Sequence, residues 1–317
     1  MMASTRWAAI AGALATLVLA AACATTDAAK EAQHAARIQV LQKELLAHPD
    51  ADSLAAAALF ARTRAAPGVA LELAARAVAA APDRADLLLE QIQLCQAVPA
   101  CDSQALEARL LELDKENGIS WMYAMLRAGR TGDLDALRRD RAGLARAQRM
   151  DWHWNQIVSR VTAAVTGKAG YSAQEALIEV IGIEAAFITP LQSVTQACAA
   201  QELQAPEVLA QCRQIAAAFR HGDIYLFEMF GTRLASGLWP AGSAEGTQIA
   251  AERRAVHYWM DAGSRYSAKL ESAVASSIMA TLYGQYPTEQ QVYRALFIRL
   301  GLQPDPPADW VDHASGG

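Results

Sequence analysis

The densest group of polar side chains that could do chemistry lies in the last quarter of the sequence. Arg253, His257 and Asp261 are spaced four residues apart, and Glu252 and Arg254 flank the first of them. On an α-helix this spacing places the three side chains on one face, where they could form a catalytic or ligand-binding trio. The same spacing is typical of a solvent-exposed helix face with oppositely charged neighbours, and this second interpretation is favoured.

A second candidate is His153, which lies between Trp152 and Trp154. The two indoles could line an aromatic binding cleft, but aromatic side chains at the start of a helix more often belong to the core. Glu271 and Ser272 resemble the Glu-Ser pair of lytic transglycosylases, although the glycine-rich and Met-Gln context of that family is absent. The G-x-S-x-G, H-E-x-x-H, C-x-x-C-H and P-loop motifs are absent as well. The sequence therefore predicts no catalytic residue, metal or cofactor, and an enzyme is the less favoured class.

The start of the sequence has the layout of a bacterial export signal. Arg6 is the only charge before Cys23, and 7–22 is apolar. About 16 apolar residues are short for a membrane span, which needs about 20, but they suit a secretory signal peptide. The ending Leu19-Ala20-Ala21-Ala22-Cys23 resembles a lipobox, except that its Leu lies one position further from the Cys than is typical. The resemblance implies a signal peptide over 1–22 and lipidation of Cys23. An ordinary signal peptide is the alternative.

The resemblance to bacterial lipoproteins also implies a location. A Cys that carries several acyl chains, palmitate among them, anchors a protein durably in a membrane. The residue after Cys23 is Ala24 and not Asp, which by the sorting rule of such lipoproteins implies the outer membrane, with the body on its periplasmic face. Segment 23–30 is then the lipidated Cys and a short tether.

Composition limits the partners of the remaining chain. Apolar residues make up 53% of the sequence, which excludes general disorder, and the formal net charge of −5 argues against nucleic acid as a partner. Outside the signal no apolar run is long enough to span a membrane. The nearest candidate, 176–191, is interrupted by Glu179 and Glu184 and includes Pro190. The membrane is therefore reached only through the lipid anchor.

Four cysteines follow Cys23, and in an oxidising periplasm they predict two disulfides with three possible connectivities. Cys95 and Cys101 flank a segment with Pro99, where the chain can turn. Cys198 and Cys212 lie on either side of a second turn, as expected for two antiparallel helices. The spacing thus favours local pairing. A four-cysteine metal site is the alternative, but paired C-x-x-C spacing is absent.

Helical periodicity dominates the chain. Ile38, Leu41, Leu45 and Leu46 share one helix face, no convincing alternating strand is present, and Ala and Leu add intrinsic helix preference. The predicted fold class is therefore all-α.

A spacing of about 34 residues organises the N-terminal half. Asp50, Asp83, Asn117 and Asp151 each follow a helix and are positioned to cap the next, with separations of 33, 34 and 34 residues. This period, with Trp121 and the Gly132-Asp133-Leu134 turn, resembles that of tetratricopeptide repeats over about 50–164. Pro occurs at only two of the four boundaries, and the small-residue positions drift. The resemblance implies an α-solenoid of helical hairpins; unrelated hairpins of similar length are the alternative.

Beyond residue 166 the period fades. Ser172 and Pro206 predict helix starts, Gly237 to Thr247 predicts a loop, and two C-terminal helices with a possible break at Gly263 are expected before a proline-rich tail. The predicted organisation is therefore TPR-like helical repeats over 31–166, disulfide-bonded hairpins over 167–236, and irregular capping helices with the tail over 237–317.

The predicted function is that of a membrane-anchored periplasmic lipoprotein whose helical repeats bind another periplasmic or outer-membrane protein. Stacked hairpins create an extended concave surface, and the first helices of the repeats place Asp86, Tyr123 and His153 in such a groove. The alternatives are an immunity or inhibitor lipoprotein against a toxic effector, and a cell-wall enzyme or binder that uses the face of Arg253, His257 and Asp261.

Overall fold

The structure, a computed structural model, describes residues 30–63, 66–99, 101–186, 191–270 and 273–312. The signal, Cys23, Pro190, Glu271 and Ser272 lie outside this part. Within it the chain is helical without a β-strand, which confirms the all-α prediction. In chain order the helices are α1 (30–47), α2 (Ala51–Arg62), α3 (Pro67–Ala80), α4 (Ala85–Gln96), α5 (Gln104–Asp114), α6 (Gly118–Thr131), α7 (Leu134–Ala145), α8 (Trp154–Val165), α9 (Ala173–Ala185), α10 (Leu191–Ala197), α11 (Pro206–Arg220), α12 (Tyr225–Ser236), α13 (Ala244–Arg265), α14 (Ser267–Leu270), α15 (Ala273–Tyr283) and α16 (Glu289–Arg299).

Most predicted caps occur where the sequence places them. The side chains of Asp50 and Asn117 accept hydrogen bonds from Ser53 N and Ile119 N at the starts of α2 and α6. Ser172 forms a complete capping box with Glu175 at α9. The predicted caps at Asp83 and Asp151 are wrong, because the N-caps of α4 and α8 are Arg84 and His153 and neither makes a side-chain cap hydrogen bond. Helix α13 also differs from the prediction, since it already begins at Ala244 and continues through Gly263 to Arg265.

Helices α2 to α7 pack in sequence, each against the next. The turns before α6 and α8, which are 34 residues apart, are joined by two hydrogen bonds. Asn117 Nδ2 donates to Asp151 O at 2.7 Å, and Asp151 N donates to Asn117 Oδ1 at 3.0 Å. Equivalent positions of successive hairpins thus lie side by side, as stacked units require. The relation to tetratricopeptide repeats stays a prediction.

The array does not remain open. In a solenoid each repeat contacts only its neighbours, whereas here α2 also packs against α8 and α9, and α8 and α9 pack against α15. One hydrophobic core consequently extends from Ile38 in α1 to Leu296 in α16 and runs through all three segments predicted from the sequence. Within the described residues, no helix is both long and apolar enough to cross a bilayer.

The cysteine pairs are local, as the spacing favours. Cys95 and Cys101 form a disulfide with their Cα atoms 5.3 Å apart, and Cys198 and Cys212 form another with Cα atoms 5.7 Å apart. Cys198 directly follows α10 and Cys212 lies in α11, so the second bridge joins these two helices. The four thiols are therefore accounted for without a metal.

Candidate functional site

The C-terminal tail contacts two of the three side chains on the face of Arg253, His257 and Asp261. His257 Nδ1 lies 2.7 Å from Asp312 Oδ2, and Asp261 Oδ2 accepts a hydrogen bond from Trp310 Nε1 at 2.9 Å. Arg254, on the adjacent face, donates to the carbonyl oxygen of Trp310 at 2.8 Å. These side chains hold the tail against α13. Arg253 instead lines a cavity of about 400 Å³ together with Arg254 and Asp312, so the three predicted side chains do not line one common open space.

The predicted groove is closed in this structure. Asp86 and Tyr123 are each 2% exposed, so they lie inside the protein and are not presented to a partner. The physical reason is the packing of α8 and α9 against the array. Arg160 in α8 reaches Asp86 at 3.4 Å, and the Tyr123 ring lies 6.3 Å from that of Trp152. Of the three predicted groove residues, only His153 lines an open space.

That space is a polar cleft of about 460 Å³, lined by side chains from 151–160 and by the loop 283–287. Its walls come from the start of α8 on one side and from the connection between α15 and α16 on the other. Asn155 Nδ2 donates to Tyr286 O at 2.8 Å and fixes the distance between the two walls. The cleft is therefore built from segments that lie about 130 positions apart in the sequence.

A buried carboxyl group, that of Asp223, holds the loop that leads into α8. Asp223 Oδ1 accepts from Trp152 N at 2.8 Å, Asp223 Oδ2 accepts from Trp154 N at 3.2 Å, and its own N–H donates to Met150 O at 2.9 Å. The Asp223 carbonyl also accepts from Glu289 N at 2.7 Å. One residue of the α11–α12 turn therefore connects both walls of the cleft.

The Asp223 carboxyl also interacts with a cleft residue. Burial is the main cause that raises the pKa of Asp223 well above its ordinary range, and the nearby Asp151 carboxylate raises it further. Both causes favour the neutral form of the Asp223 carboxyl, whose oxygens accept the two loop N–H groups.

His153 directly precedes α8. Its backbone, with φ 59° and ψ 22°, lies in the left-handed region. Such a conformation is uncommon for residues other than glycine and is maintained by surrounding interactions. Here the His153 N–H donates to Asp151 Oδ1 at 2.8 Å, and the flanking Trp152 and Trp154 are 0% and 3% exposed. The two indoles therefore belong to the core, as the sequence favours.

The imidazole of His153 is placed between two carboxylates. Its Nε2 lies 3.1 Å from Asp114 Oδ2, and its Nδ1 lies 3.7 Å from Asp151 Oδ2. Burial alone would lower the pKa of His153, but the hydrogen bond to Asp114 and the charges of Asp151, Asp114 and Asp86 outweigh it and raise the pKa. Asp114 is bound in turn by Arg149 and by Asn117.

This geometry favours binding over catalysis. A general base needs a ring nitrogen within reach of a substrate proton, whereas both nitrogens of His153 face carboxylates of the protein itself. Among the described residues, no group of three or more His, Cys, Asp and Glu is arranged to hold a metal ion. The cleft therefore presents fixed polar groups of both charge signs, with Arg160 and Asp151 each about one third exposed.

Comparisons with protein-family models, curated proteins and solved structures give no significant match to this chain. The candidate site consequently rests on its own geometry. Sequence reasoning found His153 through its aromatic neighbours, but it missed Asp223 and the loop 283–287. Asp223 follows Gly222 in what the sequence marks only as a turn, and nothing in its local pattern indicates that its carboxyl contacts a loop some 70 positions earlier.

Proposed function

We propose that this protein is a lipid-anchored protein of the bacterial cell envelope that binds an exposed segment of another envelope protein in the cleft between 151–160 and 283–287. The observation that carries the proposal is the cleft itself. It is open and polar, and its walls are joined by a partly buried hydrogen bond from Asn155 to Tyr286. A preformed site of this kind binds with little loss of conformational entropy.

Two features support the envelope location. The segment that ends in Cys23 resembles a lipoprotein signal, and the chain pairs its other four cysteines in two local disulfides. Disulfides persist in oxidising compartments such as the periplasm and are rare in the cytosol. Export and lipidation are thus consistent with the covalent structure of the body.

The partner is a protein segment with polar side chains. Charged and hydrogen-bonding groups of the cleft fix the orientation of a bound segment and discriminate against wrong partners. Tyr286, 37% exposed at the rim, offers an aromatic contact of the type enriched in protein interfaces. The functional prediction of a protein-binding scaffold is therefore retained, but the binding surface moves from the concave side of the repeats to this cleft.

The anchor is tested by the variant Cys23→Ser. We expect this variant to lose incorporation of radiolabelled palmitate and to appear in the soluble periplasmic fraction, because the acylated sulfur is removed. Cys95→Ser with Cys101→Ser is the matched control, since it also removes thiols but leaves Cys23. Undiminished labelling of Cys23→Ser would show that the lipid is attached to another residue.

The cleft is tested by photocrosslinking in intact cells. A photoreactive amino acid at Gln285, exposed at the cleft, is expected to give one dominant adduct, whereas the same probe at the exposed Arg138 on α7 is not. A blocking substitution, Ser159→Arg, places a large side chain in the cleft from α8. It is expected to reduce the yield of the Gln285 adduct about tenfold, equivalent to about 1.4 kcal/mol of binding free energy. An adduct at Gln285 that survives Ser159→Arg unchanged would place the partner outside the cleft.

A further inference from the structure

A second, separate pocket of about 250 Å³ lies in the C-terminal part, between α12, α13 and α16. Its walls include four aromatic rings, from Tyr225, Trp259, Tyr293 and Phe297. The ring centroids of Tyr225 lie 5.9 Å from Trp259 and 6.3 Å from Tyr293, and those of Trp259 and Phe297 are 4.6 Å apart. The rings thus surround one common space.

The rings do not stack on one another. Tyr225 and Tyr293 are nearly perpendicular at 88°, and Trp259 and Phe297 are tilted by 43°. Trp259 and Tyr293 are partly exposed, whereas Phe297 is 1% exposed. The pocket therefore has a closed floor and an accessible mouth. The faces of aromatic rings carry a partial negative charge that attracts cations.

One carboxyl group completes the pocket. Among the described residues that line it, Glu289 is the single charged side chain. Glu289 Oε2 accepts a hydrogen bond from Tyr225 N at 2.8 Å, which fixes the carboxyl group at the start of α12. Burial raises the pKa of Glu289 to about 7, and the hydrogen bond from Tyr225 opposes that shift. A cation in the pocket would favour the charged carboxylate.

A purely structural role explains these features less completely. A carboxylate that only capped α12 would need the hydrogen bond to Tyr225 and no adjoining space. Here the carboxyl group also borders an open pocket of about 250 Å³ that is otherwise lined by aromatic and apolar side chains and Gly263. Met260 at the rim is 54% exposed, although a large apolar side chain gains from burial.

We infer that this pocket binds an organic ammonium cation with small alkyl substituents, held by the aromatic faces and by the Glu289 carboxylate. Aromatic enclosures that include an acidic group are the known protein solution for such cations, because the methyl groups contact the rings while the charge is neutralised. The site is separate from the proposed cleft, since none of its lining residues belongs to 151–160 or 283–287.

The test uses choline and its neutral isostere 3,3-dimethylbutan-1-ol, which differ in the charge at one atom. Titration calorimetry with the purified chain is expected to show choline binding with one site per chain and at least about tenfold more tightly than the isostere, or about 1.4 kcal/mol. Equal affinities for the two probes, or no saturable binding of choline, would overturn the inference.

Two variants locate the site. Glu289→Gln keeps an acceptor for Tyr225 N and is expected to reduce the preference for choline over the neutral isostere to the few-fold that the aromatic faces alone supply. Trp259→Leu removes one aromatic wall and is expected to weaken choline at least about threefold, the lower range for an exposed cation–π contact. Asp305→Asn, an exposed carboxylate paired with Arg294, is the matched control and should bind choline normally. Unchanged choline affinity in both Glu289→Gln and Trp259→Leu would place the ligand elsewhere.

Discussion

Replacing Asp223 with alanine is expected to lower the free energy of unfolding by about 3 kcal/mol, because two buried N–H groups lose their acceptors at about 1–3 kcal/mol each. Those groups are Trp152 N and Trp154 N, which bond to the two carboxyl oxygens. Asp223 itself is 5% exposed, so water does not readily replace the lost oxygens. Urea denaturation at pH 7 measures the difference as a lower transition midpoint.

The matched control for Asp223→Ala is Asp305→Ala. Asp305 also accepts two hydrogen bonds, from Arg294 at 2.6 and 2.7 Å, but its side chain is 55% exposed. Exposed pairs of this kind contribute less than about 1 kcal/mol. Equal destabilisation by the two variants would contradict the role given to Asp223.

A second measurement separates Asp223 from an ordinary core residue. In Asp223→Ala, the backbone amides of the loop 150–155 are expected to exchange hydrogen faster, since this loop holds His153 at φ 59° and loses its fixing group. Amides in the middle of α6 that exchange through global unfolding should accelerate only by the factor that the loss of unfolding free energy gives, whereas the loop amides also exchange through a new local opening. Loop amides that accelerate no more than those of α6 would show that Asp223 contributes to global stability without specifically fixing the loop.

Much of the fold can be read from local signals. The caps at Asp50, Asn117 and Ser172 occur as predicted because each short polar side chain satisfies an N–H of the first helical turn, and this requires no information from elsewhere in the chain. The turn at Gly132 has φ 71°, a conformation that glycine adopts at little cost. The two disulfides are also predictable from local sequence, because a turn between the cysteines of each pair brings them together.

What the sequence leaves open is how the helices meet. The packing of α8 and α9 against α2 joins segments more than 90 positions apart, and it is this packing that buries Asp86 and Tyr123. The candidate cleft depends on the same long-range contacts, since one wall comes from the loop 283–287. Periodicity identifies which face of a helix is apolar but not which distant helix covers it.

Glu184 is the clearest example of this difference. In the sequence it is a charge that interrupts an apolar run, which by itself suggests exposure. In the structure it is 1% exposed and lies near Arg62 in α2, Glu90 in α4 and Tyr123 in α6, whose pKa values it shifts when ionised. Neither Glu184 oxygen has a hydrogen-bond partner among the described residues. Tyr123, one of the predicted groove residues, thus lies near a buried carboxyl group of α9.

The second large effect is expected from Glu184→Gln. Burial raises the pKa of Glu184 from 4.5 to about 8, with the charge of Arg62 opposing the shift. Above pH 4.5 the unfolded chain therefore releases this proton while the folded chain retains it, so stability falls as pH rises towards 8. At about 1.4 kcal/mol for each pKa unit, this single group costs about 3 kcal/mol at pH 7.

The variant removes the titrating group but keeps the side-chain volume. Glu184→Gln is expected to unfold like the natural chain near pH 5 and to be about 3 kcal/mol more stable at pH 7, with a flatter dependence of stability on pH. Urea denaturation at pH 5, 6, 7 and 8 measures this dependence directly. Glu184→Gln is thus expected to raise the free energy of unfolding, whereas most core substitutions lower it.

Glu179→Gln provides the control on the same helix. Its carboxylate is about one quarter exposed and lies 3.2 Å from His34, so its replacement is expected to change stability by less than about 1 kcal/mol.

If Glu184→Gln leaves the slope of stability against pH unchanged, the Glu184 carboxyl is ionised in the folded protein at neutral pH. In that case Arg62, which acts on Glu184 across the contact between α2 and α9, must stabilise the carboxylate as a buried ion pair. Arg62→Met would then destabilise the protein by about 3 kcal/mol, whereas with a protonated Glu184 the same change costs far less.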